Sequence, residues 1–173
     1  FVELLDSLNN LEIVRGIAYP KKGEVIQTQR RPRNWHLDGV RPIRDPTFEN
    51  NKDYSLACIP SSEKITIPII SSRGCTMGCE FCTSPLVWQR KGIYRSPEDV
   101  LQEIKELTRD KTKEVYFFDE ENLFNNPEKA KELFRGLSGG GYNLGSCGDV
   151  RMMDEEMADL MQCAGYTQVY WGI

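Results

Sequence analysis

Three of the six cysteines in this 173-residue chain lie within eight positions of one another. The stretch reads SRGCTMGCEFCTSP, residues 72–85, and it places Cys75, Cys79 and Cys82 in the spacing C-x3-C-x2-C. Thiolates are soft ligands that suit zinc and iron–sulfur clusters. The spacing therefore predicts a site at which three sulfurs converge on one metal centre.

Four interpretations of these thiols compete. A disulfide framework is out of keeping with a cytosolic α/β chain, and chance burial of thiols as small hydrophobes is a poor account of such tight spacing. Structural zinc normally closes a shell of four ligands, which His36 could complete only by folding back from 39 positions upstream of Cys75. An iron–sulfur cluster suits soft thiolates at short spacing best, and three cysteines leave one iron of a cubane open for chemistry.

The cysteines follow directly on a predicted strand. ITIPII, residues 65–70, is a short β-branched run that is typical of a buried strand. In parallel α/β folds the functional site is formed by loops at the carboxyl ends of strands. We expect Gly74 and Gly78 to allow positive-φ turns, so that the sulfurs can converge. Pro68 is tolerable in this strand if the strand lies at a sheet edge.

The rest of the chain alternates helices and strands. The predicted helices begin at the N-caps Ser96, Asn126 and Asp154, and the last of them ends at Gly165. The predicted strands between and after them are EVYFF (114–118), YNLGSC (142–147) and QVYWGI (168–173). This alternation predicts an α/β fold: the first part of a parallel (β/α) barrel of the TIM type, or an open parallel sheet.

Residues 1–62 have a different character. FVELLDSL (1–8) predicts the tail of a helix, and IVRGIAY and EVIQT around PKKG predict a hairpin about a Pro/Gly turn. The segment from Gln29 to about Ser62 has little periodicity and is typical of an extended linker. The chain starts without methionine and stops within a strand-like run, so we interpret it as part of a longer protein. Residues 1–62 would be the last part of an upstream domain together with its linker. Residues 63–173 would be the N-terminal part of a truncated barrel.

The composition is that of a globular protein, with 39% hydrophobic and 28% charged residues. Neither a signal peptide nor an apolar run of about 20 residues is present, which favours the cytoplasm and excludes a membrane span. The net charge of −4 gives no support to general nucleic-acid binding. We interpret a local cluster of five arginines as part of a solvated linker rather than as a phosphate-binding patch. The cluster consists of Arg30, Arg31, Arg33, Arg41 and Arg44.

The cysteine motif, with the aromatic Phe81 before its last cysteine, resembles that of the radical S-adenosylmethionine (SAM) superfamily. The segments YRSPEDVLQEI, VYFFDEEN and MQCAGYTQVYWGI look like the branch whose members often carry an N-terminal cobalamin-binding domain. The resemblance runs from about residue 65 to the end, roughly two-thirds of the chain. It implies that the upstream domain ending within residues 1–62 binds cobalamin (B12).

The resemblance implies a [4Fe–4S] cluster held by Cys75, Cys79 and Cys82, whose open iron chelates the amine and carboxylate of SAM. Reduction by an electron donor such as flavodoxin or ferredoxin would cleave SAM to a 5′-deoxyadenosyl radical. That radical would abstract hydrogen from an unidentified substrate, with methylation or a rearrangement as the outcome. The protein would supply positioning, exclusion of water and tuning of the cluster.

The resemblance also implies contacts to SAM. Phe81 would lie near the adenine, mainly through its backbone. Asp119, Glu120 and Glu121 stand where many members have Gly-Gly-Glu, and their carboxylates would pair with the SAM ammonium, a solvated acidic loop being the alternative. Arg151 follows the third strand near a position where many relatives carry an arginine, but its register differs. Two interpretations of Arg151 stay open, a contact with SAM and a position on the protein surface.

Two other functions stay open at this point. One is a methylthiotransferase-like radical SAM enzyme acting on RNA, which would need a second cysteine cluster upstream. The other is a non-catalytic iron–sulfur or zinc module in which His36 closes the shell.

Several residues outside the motif receive structural interpretations. Four methionines are predicted to pack rather than to form a ligand set: Met152, Met153, Met157 and Met161. Cys163 is predicted to be core-facing or partly covered. Trp88 and Tyr94 either line a substrate pocket or pack after the cysteine loop.

Overall fold

The computed structural model describes residues 2–34, 36–39, 41, 65–109, 113–117 and 123–172. The chain divides into two compact units, Phe1–Trp35 and His36–Ile173. The predicted boundary between residues 62 and 63 lies outside the described residues. Within the described ranges, no helix combines the length and apolar character needed to cross a membrane.

The first unit contains a short helix and a hairpin. Helix α1 is Val2–Asp6, a 3-10 turn is Leu11–Ile13, and strand β1 (Ala18–Lys21) pairs antiparallel with β2 (Glu24–Gln27). The predicted hairpin is confirmed, but Pro20 lies within β1 and the turn is formed by Lys22 and Gly23. Both turn residues have positive φ, 52° and 86°, as a two-residue type I′ turn requires. Arg31, from the arginine cluster, pairs with Glu3 in this unit.

The second unit is built on a parallel sheet. Its strands are β3 (Ile65–Ile69), β4 (Ser72–Arg73), β5 (Ile93–Tyr94), β6 (Lys113–Phe117), β7 (Leu144–Asp149) and β8 (Tyr166–Gly172). Strands β3, β6, β7 and β8 pair in parallel in that order, and β4 pairs antiparallel with β5. Among these strands β3 pairs with β6 alone, so the condition under which Pro68 is tolerable in β3 is met, and Pro68 is exposed. The bounds predicted for β3, β6, β7 and β8 are correct to within two residues.

Within the described residues, four helices accompany the sheet: α2 (Ser84–Trp88), α3 (Pro97–Leu107), α4 (Pro127–Leu137) and α5 (Glu155–Ala164). The predicted N-caps are confirmed, because Ser96, Asn126 and Asp154 accept backbone hydrogen bonds at 3.3, 3.2 and 2.7 Å. Gly165 ends α5 with a φ of 93°. Helix α2 was not predicted.

One apolar core joins the helices to the sheet. It includes Ile69, Val115 and Leu144 from the strands, Val100 and Ile104 from α3, Leu133, Phe134 and Leu137 from α4, and Met157 and Met161 from α5. The packing prediction for the methionines is confirmed, since Met157 and Met161 lie in the core and Met152 and Met153 are partly buried against it. The prediction that Cys163 is core-facing or partly covered is wrong, since this thiol is exposed. Met157, Met161 and Ala164 form the buried stripe of α5, and the helical repeat turns Cys163 away from it.

A buried cation fixes α3 to the segment that follows β3. Arg95 donates to Asp99 Oδ2 at 2.7 Å, to Glu103 Oε2 at 2.5 Å and to the Ile70 carbonyl at 2.8 Å. Arg41, which belongs to the predicted arginine cluster, donates to Asp99 Oδ1 at 3.0 Å. Burial by itself would raise the pKa of Asp99, but the hydrogen bonds from Arg41 and Arg95 outweigh it and lower that pKa.

We expect this network to make the stability of the second unit acid-sensitive. A lowered folded-state pKa means that Asp99 adds stability above its unfolded pKa, about 3.9. That contribution disappears as the pH falls through the lower folded pKa. Urea unfolding of the native protein and of Asp99→Asn between pH 7 and 3 measures the free energy of unfolding. As the pH falls, this free energy should decrease less in the variant than in the native protein. Glu98→Gln, at the exposed neighbouring carboxylate, is the control; parallel declines in native protein and Asp99→Asn would contradict this account.

Candidate metal centre at the cysteine loop

The cysteine loop, residues 74–83, lies beyond the carboxyl end of β3. It runs from β4 to α2, and β4 pairs with β5 through Ser72–Tyr94 and Arg73–Ile93. Two-residue strands are too short to carry a periodic signal, which explains why this small ladder was not predicted. Residues that follow β6 and β7 also contact the loop, namely Asn125 and Arg151. The carboxyl ends of three strands therefore meet here, as a parallel α/β fold requires.

Position 74 requires glycine for two reasons, its backbone conformation and the lack of space for a side chain. Its φ is 84°, and a Cβ added there would collide with the Lys91 carbonyl oxygen and lie 3.1 Å from Trp88 Cγ. Trp88 thus packs over the start of the loop. The expectation of a positive φ is confirmed for Gly74 and wrong for Gly78, which is absent from the positive-φ glycines. At Gly78 the neighbour is the Arg90 side chain, whose guanidinium carbon would be 3.1 Å from an added Cβ.

Each of the three cysteine sulfurs lies within reach of an N–H donor. The Met77 amide is 3.4 Å from Cys75 Sγ, the Ser84 amide is 3.4 Å from Cys82 Sγ, and the Arg151 guanidinium is 3.7 Å from Cys79 Sγ. Such donors stabilise negative charge on a thiolate, and hydrogen bonds to sulfur help to set cluster potentials. The three thiols also differ in burial: Cys75 is buried, Cys79 is intermediate and Cys82 is exposed.

Arg151 is oriented by Asp149, two residues earlier. Its Nε donates to Asp149 Oδ1 at 2.8 Å, and its backbone N–H donates to the same oxygen at 3.0 Å. These hydrogen bonds lower the pKa of Asp149 and raise that of Arg151, so both groups are charged at neutral pH. The structure thus places Arg151 beside Cys79, whereas a contact between Arg151 and SAM stays a prediction.

Asn125 was missed by the sequence interpretation. It lies at the end of a 3-10 turn after β6, Leu123–Asn125, and is only 8% exposed. Its side chain accepts from the Thr76 N–H at 3.2 Å and donates to the Gly74 carbonyl at 3.3 Å and to the Tyr94 hydroxyl at 3.0 Å. The sequence shows it only as the residue before the Asn126 N-cap, which is a position without a distinctive pattern.

The remaining predicted SAM residues are placed as follows. Phe81 lies in the cysteine loop with 89% of its surface exposed. Asp119, Glu120 and Glu121 lie outside the described residues. Tyr94, predicted as a pocket or packing residue, is hydrogen-bonded through its hydroxyl to Asn125.

The donor set fits an iron–sulfur cluster. Among the described residues, no three His, Cys, Asp or Glu side chains are arranged around one ion position. In a [4Fe–4S] cubane each cysteine binds a different iron, so its sulfurs do not surround a single ion. Three thiols on one loop, each with an N–H donor nearby, match the cluster's need for thiolate ligands and compensated charge.

Three curated relatives are methyltransferases by name. Cytidylyl-2-hydroxyethylphosphonate methyltransferase of Streptomyces wedmorensis is 34% identical over 107 residues, 61% of this chain and 20% of the relative. Bacteriochlorophyllide d C-12(1)-methyltransferase of Chlorobaculum tepidum is 33% identical over 101 residues, 56% of this chain and 22% of the relative. An uncharacterized methyltransferase of Pyrococcus horikoshii is 26% identical over 179 aligned positions, 100% of this chain and 38% of the relative. The chain therefore spans between 20% and 38% of the length of these relatives.

The fold is similar to that of a solved enzyme, the radical SAM methyltransferase TsrM of Kitasatospora setae. Its structure with tryptophan and a SAM analog covers 98% of this chain and 34% of TsrM, with a TM-score of 0.69 and 18% identity. A second TsrM structure, with cobalamin and a [4Fe–4S] cluster, covers 61% of this chain and 22% of TsrM, with a TM-score of 0.54 and 23% identity.

The family assignment rests on the segment that contains the cysteine loop. Residues 69–173 match the family model of the Radical SAM superfamily, whose members use a [4Fe–4S] cluster and SAM. This segment begins at the last residue of β3 and holds the cysteine loop, Asn125, Arg151 and the later strands of the sheet. The chain belongs to the radical SAM superfamily.

Proposed function

We propose that the protein is a radical SAM methyltransferase whose [4Fe–4S] cluster is held by Cys75, Cys79 and Cys82. The observation that carries this proposal is the geometry of the cysteine loop, in which each thiol lies at the carboxyl end of the sheet with an N–H donor near its sulfur. When bound, the cluster supplies the electron that cleaves SAM and starts radical chemistry.

Methyl transfer is favoured over a rearrangement by the names of the three curated relatives. Two of those names specify chemically different acceptors, a phosphonate and a bacteriochlorophyllide, so the shared element is the transfer and not the acceptor. None of the three names supports the methylthiotransferase or the non-catalytic module. The TsrM structure with bound cobalamin supports an association with cobalamin.

The domain organisation forms part of the proposal. Residues 1–62 would end a cobalamin-binding domain with its linker. The open four-stranded sheet within residues 63–173 would be the first part of a (β/α) barrel. The parallel order β3-β6-β7-β8 supports this, since each strand adds beside the one before it, as in a barrel.

The chain's own residues would bind and orient SAM. The carboxylates of Asp119, Glu120 and Glu121 would pair with its ammonium, and the backbone at Phe81 would contact its adenine. The exposure of Phe81 at the loop leaves its surface accessible to a ligand. An electron donor such as flavodoxin or ferredoxin would supply the reducing equivalent.

The test is electron paramagnetic resonance (EPR) of the complete protein, reconstituted with iron and sulfide, reduced with dithionite and recorded with and without SAM. We expect a reduced [4Fe–4S] signal whose shape changes when SAM is added, because SAM reaches an open iron. A cluster signal indifferent to SAM would point to electron transfer or structure, and zinc without iron would overturn the proposal.

We also expect Arg151 to raise the reduction potential of the cluster. A cationic donor 3.7 Å from Cys79 Sγ favours the more negatively charged, reduced cluster. Arg151→Met should lower the midpoint potential by up to about 60 mV, a tenfold change for one electron, because the site is solvent-screened. Redox titration followed by EPR measures this shift.

Arg135→Met is the matched control for that titration. Arg135 is similarly exposed, but it pairs with Glu156 in a contact between α4 and α5. An unchanged potential in Arg151→Met, or an equal shift in both variants, would contradict the assignment of Arg151 to Cys79.

A further inference from the structure

Asn125 joins three segments of the chain at the first cysteine. Its side-chain oxygen accepts from the Thr76 N–H at 3.2 Å and from the Thr76 hydroxyl at 2.6 Å. Its side-chain nitrogen donates to the Gly74 carbonyl at 3.3 Å. One amide thus binds the backbone immediately before and immediately after Cys75, whose sulfur lies 4.0 Å from the Asn125 oxygen.

The orientation of this amide is determined by its backbone partners. A backbone N–H can only donate and a carbonyl can only accept, so the oxygen must face Thr76 and the nitrogen must face Gly74. The nitrogen also donates to the Tyr94 hydroxyl at 3.0 Å, which connects the amide to β5, the strand that pairs with β4 just before the loop. Aspartate could not replace both functions, since a carboxylate has no N–H to donate.

Burial distinguishes this part of the loop from the rest. Asn125 is 8% exposed and Cys75 is 9% exposed, whereas Cys79 is intermediate and Cys82 is exposed. Buried hydrogen bonds to an amide cost more to break than exposed ones, because the groups left behind lose their partners without regaining water. The loop therefore has one firmly held cysteine and two that are more accessible.

We infer that Asn125 is the positioning residue for the first cluster ligand: it fixes Cys75 in the metal-free chain, so that the cluster assembles on a preformed anchor. This inference rests on the proposed function for the identity of the cluster. The hydrogen bonds that fix the backbone on either side of Cys75 are present in the metal-free protein, so their effect is measurable without iron.

The experiment measures alkylation rates of single cysteines by iodoacetamide in the complete, metal-free protein, read by mass spectrometry. Cys163, exposed on α5, serves as the internal reference. In Asn125→Ala the rate at Cys75 relative to Cys163 should rise roughly tenfold or more, since the loop opens locally. Iron bound after reconstitution should fall in the same variant.

Asn126→Ala is the matched control. Asn126 is the adjacent asparagine, and its side chain caps α4 by accepting from the Lys129 N–H at 3.2 Å. Its removal weakens a helix end without touching the loop, so the Cys75-to-Cys163 ratio should stay at the native value. A similar rise of the ratio in both variants would assign the effect to general loosening and overturn the inference.

Thr76→Val and Thr76→Ser keep the test decisive if Asn125→Ala does not fold. Valine removes the hydroxyl that donates at 2.6 Å and serine retains it, while both keep the backbone N–H. The ratio should rise in Thr76→Val and stay native in Thr76→Ser; unchanged ratios in both, or in Asn125→Ala, would overturn the inference.

Reconstitution of the native protein separates the two proposals. Native protein that protects Cys75 but forms no [4Fe–4S] signal would overturn the proposed function and, with it, the cluster role of Asn125. In the other case the native protein forms the signal, while Asn125→Ala keeps the native Cys75-to-Cys163 alkylation ratio, iron content and SAM-induced EPR change. That result would overturn this inference alone.

Discussion

Replacing Cys75, Cys79 or Cys82 by alanine, one at a time, is expected to reduce bound iron from about four atoms per chain to near background. A cubane that already has one open iron would be left with two protein ligands, and the cysteine loop offers no other thiolate. Iron and sulfide analysis after reconstitution measures the loss, and EPR should show no SAM-responsive signal.

The matched control is Cys163→Ala, which removes an exposed thiol from α5. Its iron content should equal that of the native protein. Cys82→Ala is the sharpest of the three loop variants, because Cys82 is exposed and its loss should leave the free energy of unfolding nearly unchanged. Full iron content in Cys82→Ala would contradict the three-ligand assignment.

Gly74→Ala is expected to have the second large effect, on both stability and iron binding. The residue has a φ of 84°, which costs an L-residue about 1–2 kcal/mol, and the new Cβ would collide with the Lys91 carbonyl. The two costs together should lower the free energy of unfolding by at least about 2 kcal/mol. Displacement of the loop beside Cys75 should also reduce iron uptake. Urea unfolding and iron analysis measure the two effects.

Gly139→Ala separates backbone strain from the collision. Gly139 has a similar φ of 74°, but an added Cβ would meet nothing within 4 Å. We expect a loss of about 1 kcal/mol and normal iron content in this variant. Equal stability losses in Gly74→Ala and Gly139→Ala would show that the contact with Lys91 is unimportant.

Much of the fold is predictable because its signals are local. The N-caps Ser96, Asn126 and Asp154 each bond to a backbone N–H three residues away, so type and spacing suffice to place the helix starts. The buried strand at Ile65–Ile69 follows from its β-branched composition in the same way, whereas its edge position, which makes Pro68 tolerable, is seen only in the sheet order. Strand ends are less certain, since parallel pairing depends on a distant partner.

The two wrong predictions have different causes. Gly78 was expected to need a positive φ, but it is absent from the positive-φ glycines, and its neighbour is the Arg90 side chain from beyond α2. The local sequence pattern does not show that neighbour. Cys163 was expected to be core-facing or partly covered, although the helical spacing of Met157, Met161 and Ala164 defines a buried stripe that excludes it.

Residues a few positions apart along the chain are enough to predict the cysteine spacing, the glycine at position 74, the helix caps and the alternation of strands and helices. Which side chains serve the cysteine loop depends on the folded arrangement of distant segments. Asn125 and Arg151 lie 49 and 72 positions from their loop partners Thr76 and Cys79. They reach that loop because the parallel sheet brings the carboxyl ends of β3, β6 and β7 together, and spacing along the chain does not encode such contacts.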